Sequence, residues 1–136
     1  MRKAIALAQQ GFPELVRELE IDSHRVLSAL EICVLKVFFP KPDDPEIGEH
    51  IFVDEISIEG DQIRGVLADS PIYLWNVKEG QTVCFPVTRV TDWFLVGGGV
   101  PRGGFTLDLL AAKMDAEERD SIRDKPPFVW YPRFRK

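Results

Sequence analysis

The alternation of apolar and polar positions divides this chain into helical ends around a strand-rich middle. Over residues 1–30 the spacing is helical. Phe12-Pro13-Glu14 reads as a helix opening, with proline in the first turn and an acid beside it to suit the helix dipole. Leu15, Val16 and Leu19 then share one face. Asp22 or Ser23 is placed to cap a second short helix carrying Val26, Leu27 and Leu30, with His24 as a solvated neighbour.

Residues 31–39, EICVLKVFF, read as the first strand. Cys33, Leu35, Val37 and Phe39 form one face, and Ile32, Val34 and Phe38 make the other nearly as apolar, with Lys36 the exception. A strand apolar on both sides is central in its sheet and covered on both faces. The proline-rich stretch 40–45 reads as a stiff polar loop. Residues 49–58 and 62–68 then form a hairpin about a Gly60-Asp61 turn, which sets Ile58 opposite Ile63 and Ile56 opposite Gly65. In regular alternation His50, Phe52, Asp54, Ile56 and Ile58 share a face. Tyr73, Leu74 and Trp75 follow as a short apolar segment, and residues 77–81 as a turn. Residues 82–86 and 92–96 read as the last two strands, and the glycines at 97–99 and 103–104 as a flexible loop around Val100-Pro101-Arg102. From Phe105 the period is helical again, and Asp115 caps a further helix that ends before Pro126-Pro127.

The expectation is one α+β domain over residues 1–136: an antiparallel sheet of about five strands, with N-terminal and C-terminal helices packed on it. Within it, residues 1–30 are the helical segment, 31–128 the core and 129–136 an aromatic, basic tail.

Composition narrows the function more than it names it. With 136 residues and 45% hydrophobic positions the chain can bury a sizeable core. A formal net charge of −5 argues against nucleic acid as the main ligand and suits a partner with a basic surface. Residues 1–10 hold too short an apolar run for a signal peptide, and no run reaches membrane-spanning length. Cys33 and Cys84 read as buried free thiols, which fits a cytoplasmic location.

An ordered set of short motifs carries a family likeness. The pieces are residues 49–53 (EHIFV), 60–67 (GDQIRGVL), 77–81 (VKEGQ), 90–93 (VTDW), 103–106 (GGFT) and 115–119 (DAEER). In this order and spacing the chain resembles the YegJ-like bacterial proteins, domain of unknown function 2314, over residues 31–128. Phe105 stands where a tyrosine is expected and Asp115-Ala116 where Ser-Pro is expected; both keep the local physics. The resemblance implies the fold class and brings no catalytic residues with it.

Candidate chemistry is sparse. His50 lies next to Glu49 and four positions before Asp54, but i and i+4 along a strand are about 13 Å apart, too far to share a metal. No cofactor and no metal site is expected. Asp92 is placed to accept hydrogen bonds from loop amides, and Trp93 to fill the core. The glycine loop has strand–loop–helix order but lacks GxGxxG and GxxxxGK[ST], and Arg102 is its sole cation. No GxSxG is present. Two readings follow. The preferred one is a non-catalytic protein-binding module, regulatory or immunity-type, using an exposed rim with Tyr73 and Trp75. The alternative is a small-ligand binder or enzyme using His50, Asp92, Arg102, Gly103 and Gly104. The tail from Phe128 to Lys136 is expected to pack on its own domain or on a second copy as a homodimer arm, rather than to bind single-stranded nucleic acid.

Overall fold

The computed structural model describes residues 2–23, 30–97 and 100–122. Of the second short helix expected after Asp22, Asp22 and Ser23 are instead the last residues of α1 and Leu30 begins β1, while the stretch between them and the tail from Phe128 fall outside the described residues. The architecture is α+β. Among the described residues one helix, α1 (Arg2–Ser23), precedes six strands, β1 (Leu30–Lys41), β2 (Asp44–Glu59), β3 (Gln62–Leu67), β4 (Thr82–Pro86), β5 (Val90–Gly97) and β6 (Val100–Gly103). Helices α2 (Phe105–Lys113) and α3 (Ala116–Ile122) follow. The strands form a single sheet in the order β4-β3-β2-β1-β5-β6, every neighbouring pair antiparallel. A single 3-10 turn, Val87–Arg89, carries the chain from one side of the sheet to the other.

The sheet has six strands rather than five. The additional one is β6, formed by Val100-Pro101-Arg102-Gly103, which hairpins back on β5 where a flexible glycine loop was expected. Pro101 is tolerated because β6 is an edge strand and needs hydrogen bonds on one side alone. The expected proline loop is also shorter than it looked: β1 runs to Lys41, β2 starts at Asp44, and the turn holds two residues.

Helix α1 does not begin at Pro13; the proline lies inside it. An interior proline costs about 3 kcal/mol. Burial of a continuous apolar stripe offsets that cost. Ala4, Ala8, Phe12 and Leu15 recur at helical spacing straight through the proline, and all are buried.

Between Asp54 and Ser57 a β-bulge interrupts the β2–β3 pairing: Asp54 opposes Val66, and Ser57 opposes Arg64. Three steps on one strand match two on the other, so one residue is extra and the side-chain alternation inverts. Glu55 absorbs the bend with a φ of 49°, in the left-handed region. The face expected to run from His50 to Ile58 is therefore split. Before the bulge the core side holds Ile51 and Val53; after it, Ile56 and Ile58. His50 and Phe52 point the other way. The register at the turn, with Ile58 opposite Ile63, is as expected.

The core lies between α1 and one face of the sheet. Ala8, Phe12 and Leu15 meet Leu35, Val37, Val53, Phe85, Trp93 and Leu95 in one buried cluster. The sheet is strongly curved: the Phe39 ring of β1 meets the Phe85 ring of β4 edge-on at 6.0 Å, although two strands separate them in sheet order. Trp93 is the seam to the helix. Its indole Nε1–H donates to the Ala8 carbonyl at 2.9 Å, and its ring meets Phe105 of α2 edge-on at 5.9 Å. Gly11 permits this approach, since a Cβ there would stand 3.1 Å from the indole. On the opposite face of β5, Phe94 and Val96 are also buried. Strand β1 is central and β5 flanks it, as the two-sided apolar pattern implied. Cys33 is partly buried as a free thiol, but Cys84 is exposed on edge strand β4, contrary to expectation; its position alternates with the buried Val83 and Phe85.

Candidate functional site

Two groups of residues carry chemistry, and they lie at neighbouring places on β2. The first is built around Glu49. After β3 the chain leaves the sheet at Leu67 and returns at Gln81, closed at its base by Leu67 N–H to the Gln81 carbonyl at 2.9 Å and Gly80 N–H to the Leu67 carbonyl at 2.8 Å. Within this excursion three successive backbone N–H groups, of Ile72, Tyr73 and Leu74, donate to the Glu49 carboxylate. Desolvation works to raise the pKa of Glu49, but the three donors outweigh it and hold the carboxyl below its usual range. Leu74 drops into the core cluster. Ile72, Tyr73 and Trp75 stand out, 80%, 74% and 77% exposed. One carboxylate and one buried leucine thus fix a segment whose large side chains face solvent.

Ile47, in the first part of β2, is 55% exposed as well.

The second group spans the outer face of β2, β1 and β5. Asp92 pairs with Lys36 across β1 and β5 and is 2% exposed. Its Oδ1 accepts from Trp93 N–H at 2.8 Å and Phe105 N–H at 3.1 Å. Its Oδ2 accepts from Thr106 N–H at 2.8 Å and Thr106 Oγ1–H at 2.6 Å. Four bonds match the lone-pair capacity of a carboxylate, and they cap the start of α2 from a distant strand. Lys36 Nζ donates to Thr106 Oγ1 at 3.2 Å. Burial lowers the Lys36 pKa, and the Asp92 charge counters part of that.

His50, opposite Phe38 on β1, joins the same face. Its Nδ1 lies 3.0 Å from Thr91 Oγ1, and Thr91 Oγ1–H donates to the Lys36 carbonyl at 3.2 Å. Thr91 has one proton, spent on the carbonyl, so it accepts from His50 Nδ1–H and leaves Nε2 as the basic nitrogen. Partial burial, and then the charge of Lys36, lower the His50 pKa, so the ring is neutral at pH 7.

Of the other sequence candidates, Arg102 turns toward α1, where its Nη1 meets Glu14 at 3.0 Å and Glu18 at 3.2 Å. Gly103 and Gly104 form the corner between β6 and α2, both with positive φ. A Cβ on Gly103 would stand 2.3 Å from the Trp93 carbonyl oxygen, and Gly104 N–H donates to that same oxygen at 2.7 Å. The fold therefore brings His50, Asp92, Lys36, Thr91 and Thr106 onto one face, and directs Arg102 to the helix. Sequence reading singled out neither Lys36, Thr91 and Thr106 nor the three-amide role of Glu49. The interruption of an apolar face by Lys36 was the one available signal. A cleft of about 250 Å³ between Gln9, Phe12, Val87, Thr88 and Val90 holds neither His50 nor Asp92. Among the described residues no three His, Cys, Asp or Glu side chains are grouped to hold a metal ion, and no helix is long and apolar enough to cross a membrane.

These features define an α+β protein with a six-stranded antiparallel sheet and a pinned, exposed aromatic segment. Residues 1–126 match the family described as "Uncharacterized protein conserved in bacteria (DUF2314)", and the chain belongs to that family. The match includes residues 1–30, which the motif likeness did not cover. A Neisseria meningitidis serogroup B protein named "Putative ankyrin repeat protein" is 40% identical over 120 residues, 88% of this chain and 47% of that protein. The Escherichia coli K12 "Uncharacterized protein YegJ" is 29% identical over 77 residues, 57% of this chain and 50% of that protein. The chain thus spans about half the length of these curated relatives. No solved structure matches.

Proposed function

We propose that this protein is a non-catalytic protein-binding module of the bacterial cytoplasm, regulatory or immunity-type, and that Tyr73 and Trp75 are its anchors. The observation that carries the reading is the pinned segment. Single exposed apolar residues are ordinary on a protein surface, but here Ile72, Tyr73 and Trp75 fall within four positions and are all exposed. The backbone of Ile72, Tyr73 and Leu74 is held by Glu49, so less conformational entropy remains to be lost when a partner covers this segment. Tyr and Trp are the residues that most often dominate such interfaces. The ankyrin-repeat name of the Neisseria relative is in keeping with a binding role, since repeat proteins present extended binding surfaces.

The alternative, ligand or enzyme chemistry at His50, Asp92, Arg102, Gly103 and Gly104, has less support. Asp92 has its lone pairs occupied, Arg102 is engaged by two glutamates, and His50 Nε2 is the basic atom left.

The test is affinity capture from native bacterial lysate with the wild type and a Tyr73→Ala/Trp75→Ala variant shown to be folded. Both side chains are exposed, so the fold should persist. A stoichiometric protein is expected on the wild type and lost from the variant, with each anchor contributing about 2 kcal/mol to affinity. Equal capture by both baits would remove the rim from the reading.

A further inference from the structure

Strand β4 ends the sheet, and one of its sides meets no other strand among the described residues. Hydrogen bonds just beyond its two ends fix which backbone groups that side presents. Leu67 N–H donates to the Gln81 carbonyl before β4, and Val87 N–H donates to the Asp61 carbonyl after it. In an antiparallel ladder, bonded and non-bonded pairs alternate. Counting from Gln81 and from Val87 gives the same result: Val83 and Phe85 bond to Gly65 and Ile63 of β3, so Thr82 and Cys84 turn their N–H and C=O groups outward. Pro86 falls in the outward row as well, where its missing N–H takes nothing from the ladder. Edge strands are ordinarily blunted by charged side chains or by cover. Strand β4 reads TVCFP and carries no charge, whereas the opposite edge, β6, is four residues long and includes Pro101 and Arg102.

A cleft of about 310 Å³ lies along this strand. Thr82, Val83 and Cys84 all line it, although successive side chains on a strand point to opposite faces. Three consecutive residues share one cleft at the edge of a strand rather than on a face, and no described residue of β3 lines it. Phe39 and Pro40, at the end of β1, line it too, brought round by the curvature that sets the Phe39 ring against Phe85. Arg89 is the one charged residue among the described lining residues, is exposed, and has no carboxylate pairing with it among the described residues.

We propose that β4 is a docking edge: an extended segment of a partner protein adds to the sheet beside Thr82–Pro86, lodges one side chain in the cleft and sets an Asp or Glu against Arg89. The inference rests on the binding reading above in taking a protein as the partner, and it does not depend on Tyr73 or Trp75. In strand addition, main-chain hydrogen bonds supply affinity and pockets for alternate side chains supply specificity. Here Thr82 and Cys84 offer two donors and two acceptors, and the cleft is the pocket. An acid is selected because Arg89 is the charge that the added segment meets. Repulsion from the chain's net charge of −5 is screened beyond about 10 Å at 0.1 M salt, so the nearest charge decides.

The experiment selects a phage-displayed random dodecapeptide library on the full chain. Enriched peptides are synthesised, both unmodified and with a single backbone N-methyl group at each position in turn. They are titrated against the wild type, Cys84→Pro, Arg89→Glu and Tyr73→Ala/Trp75→Ala. Cys84→Pro removes an outward N–H and leaves β3 its bonds, and the N-methyl series on the wild type decides the matter if that variant does not fold. Expected are peptides with Asp or Glu in a run of β-branched or aromatic residues. N-methylation should lower their affinity at least tenfold at every second position and little in between, because alternate amides face β4. Cys84→Pro and Arg89→Glu should each cost at least tenfold, and bound peptide should slow iodoacetamide labelling of Cys84. Peptides that tolerate N-methylation throughout, or bind Cys84→Pro as well as wild type, would overturn strand addition. Indifference to Arg89→Glu would overturn the acidic partner. Loss confined to the aromatic variant would remove the edge and support the rim. A wild-type dimer in sedimentation that becomes monomeric in Cys84→Pro would put a second copy on the edge in place of a partner. If no peptide is enriched, the docking edge fails, and the binding reading stands or falls on the capture experiment.

Discussion

Asp92 shows how a single side chain organises a corner of the molecule. It reads in sequence as an acid next to a tryptophan after a polar stretch. In the fold it holds the first amides of α2 against β5 from a position 2% exposed. Replacing it with alanine leaves three backbone N–H groups and the Thr106 hydroxyl without their acceptor, and leaves Lys36 half-buried without its counter-charge. Breaking a buried charged network of this kind costs about 3–5 kcal/mol, a large share of the roughly 5–15 kcal/mol by which such a domain is stable. Asp92→Ala is thus expected to lower the unfolding free energy read from urea denaturation by that amount, and Asp92→Asn by less; equal stability of Asp92→Ala and wild type would refute the clamp. The sequence suggested that Asp92 accepts backbone amides, expected from a loop; the donors are instead Trp93 of β5 and the first residues of α2. The identity of the α2 donors was not legible, because Phe105 and Thr106 are more than ten positions away and come to it through the β6 hairpin.

At the scale of elements, the least legible features were those where one residue changes the geometry of many. The β2 bulge at Glu55 inverts the alternation that the hydrophobic pattern suggested, and nothing but cross-strand pairing reveals it. Strand β6 was hidden by its glycines and proline, which match a loop in composition and are admitted here because an edge strand makes few demands. The excursion over residues 68–80 depends on Glu49, and its pH response follows from that carboxylate. The folded pKa lies below the ordinary 4.5, so the contribution of Glu49 is fully present above 4.5 and is lost as pH falls through the lower folded value. The protection factors of the Ile72, Tyr73 and Leu74 amides, taken against the intrinsic exchange rate at each pH, should fall over that acid range while β3 keeps its protection. Glu49→Ala should produce the faster exchange at neutral pH, by about tenfold for net hydrogen-bond contributions of this size. Unchanged exchange in that variant would show that Leu74 alone holds the segment.

For the whole molecule, the two cysteines report on cooperative opening. Burial, and then the charge of Asp22, raise the Cys33 thiol to about 12, which leaves it essentially protonated at pH 8 and shielded near the α1 end of the core. Cys84 is exposed on the outer edge of the sheet. Iodoacetamide at pH 8 should alkylate Cys84 readily and reach Cys33 only when the molecule unfolds, because alkylation requires the thiolate and access. Mass spectrometry of a time course would show a singly modified species that persists in buffer and gains a second label with added urea. Comparable rates at both sites would mean that α1 separates from the sheet without global unfolding.

What the sequence determined by itself was the part set by local rules: the class of fold, the central place of β1, the hairpin turn at Gly60-Asp61, the core role of Trp93 and the family likeness. Each depends on hydrophobic period, turn residues or motif order, which are properties of short stretches. The tertiary structure decided what depends on partners remote in the chain. It set the course of α1 through Pro13, the inversion at the bulge, the clamp around Asp92 and the engagement of Arg102 by α1. It also decided that Glu49 would bind the amides of Ile72, Tyr73 and Leu74, in a segment whose Ile72, Tyr73 and Trp75 side chains face solvent. Hydrogen bonds and burial are satisfied between elements, and a one-dimensional pattern records which residues are able to form them, not which ones meet.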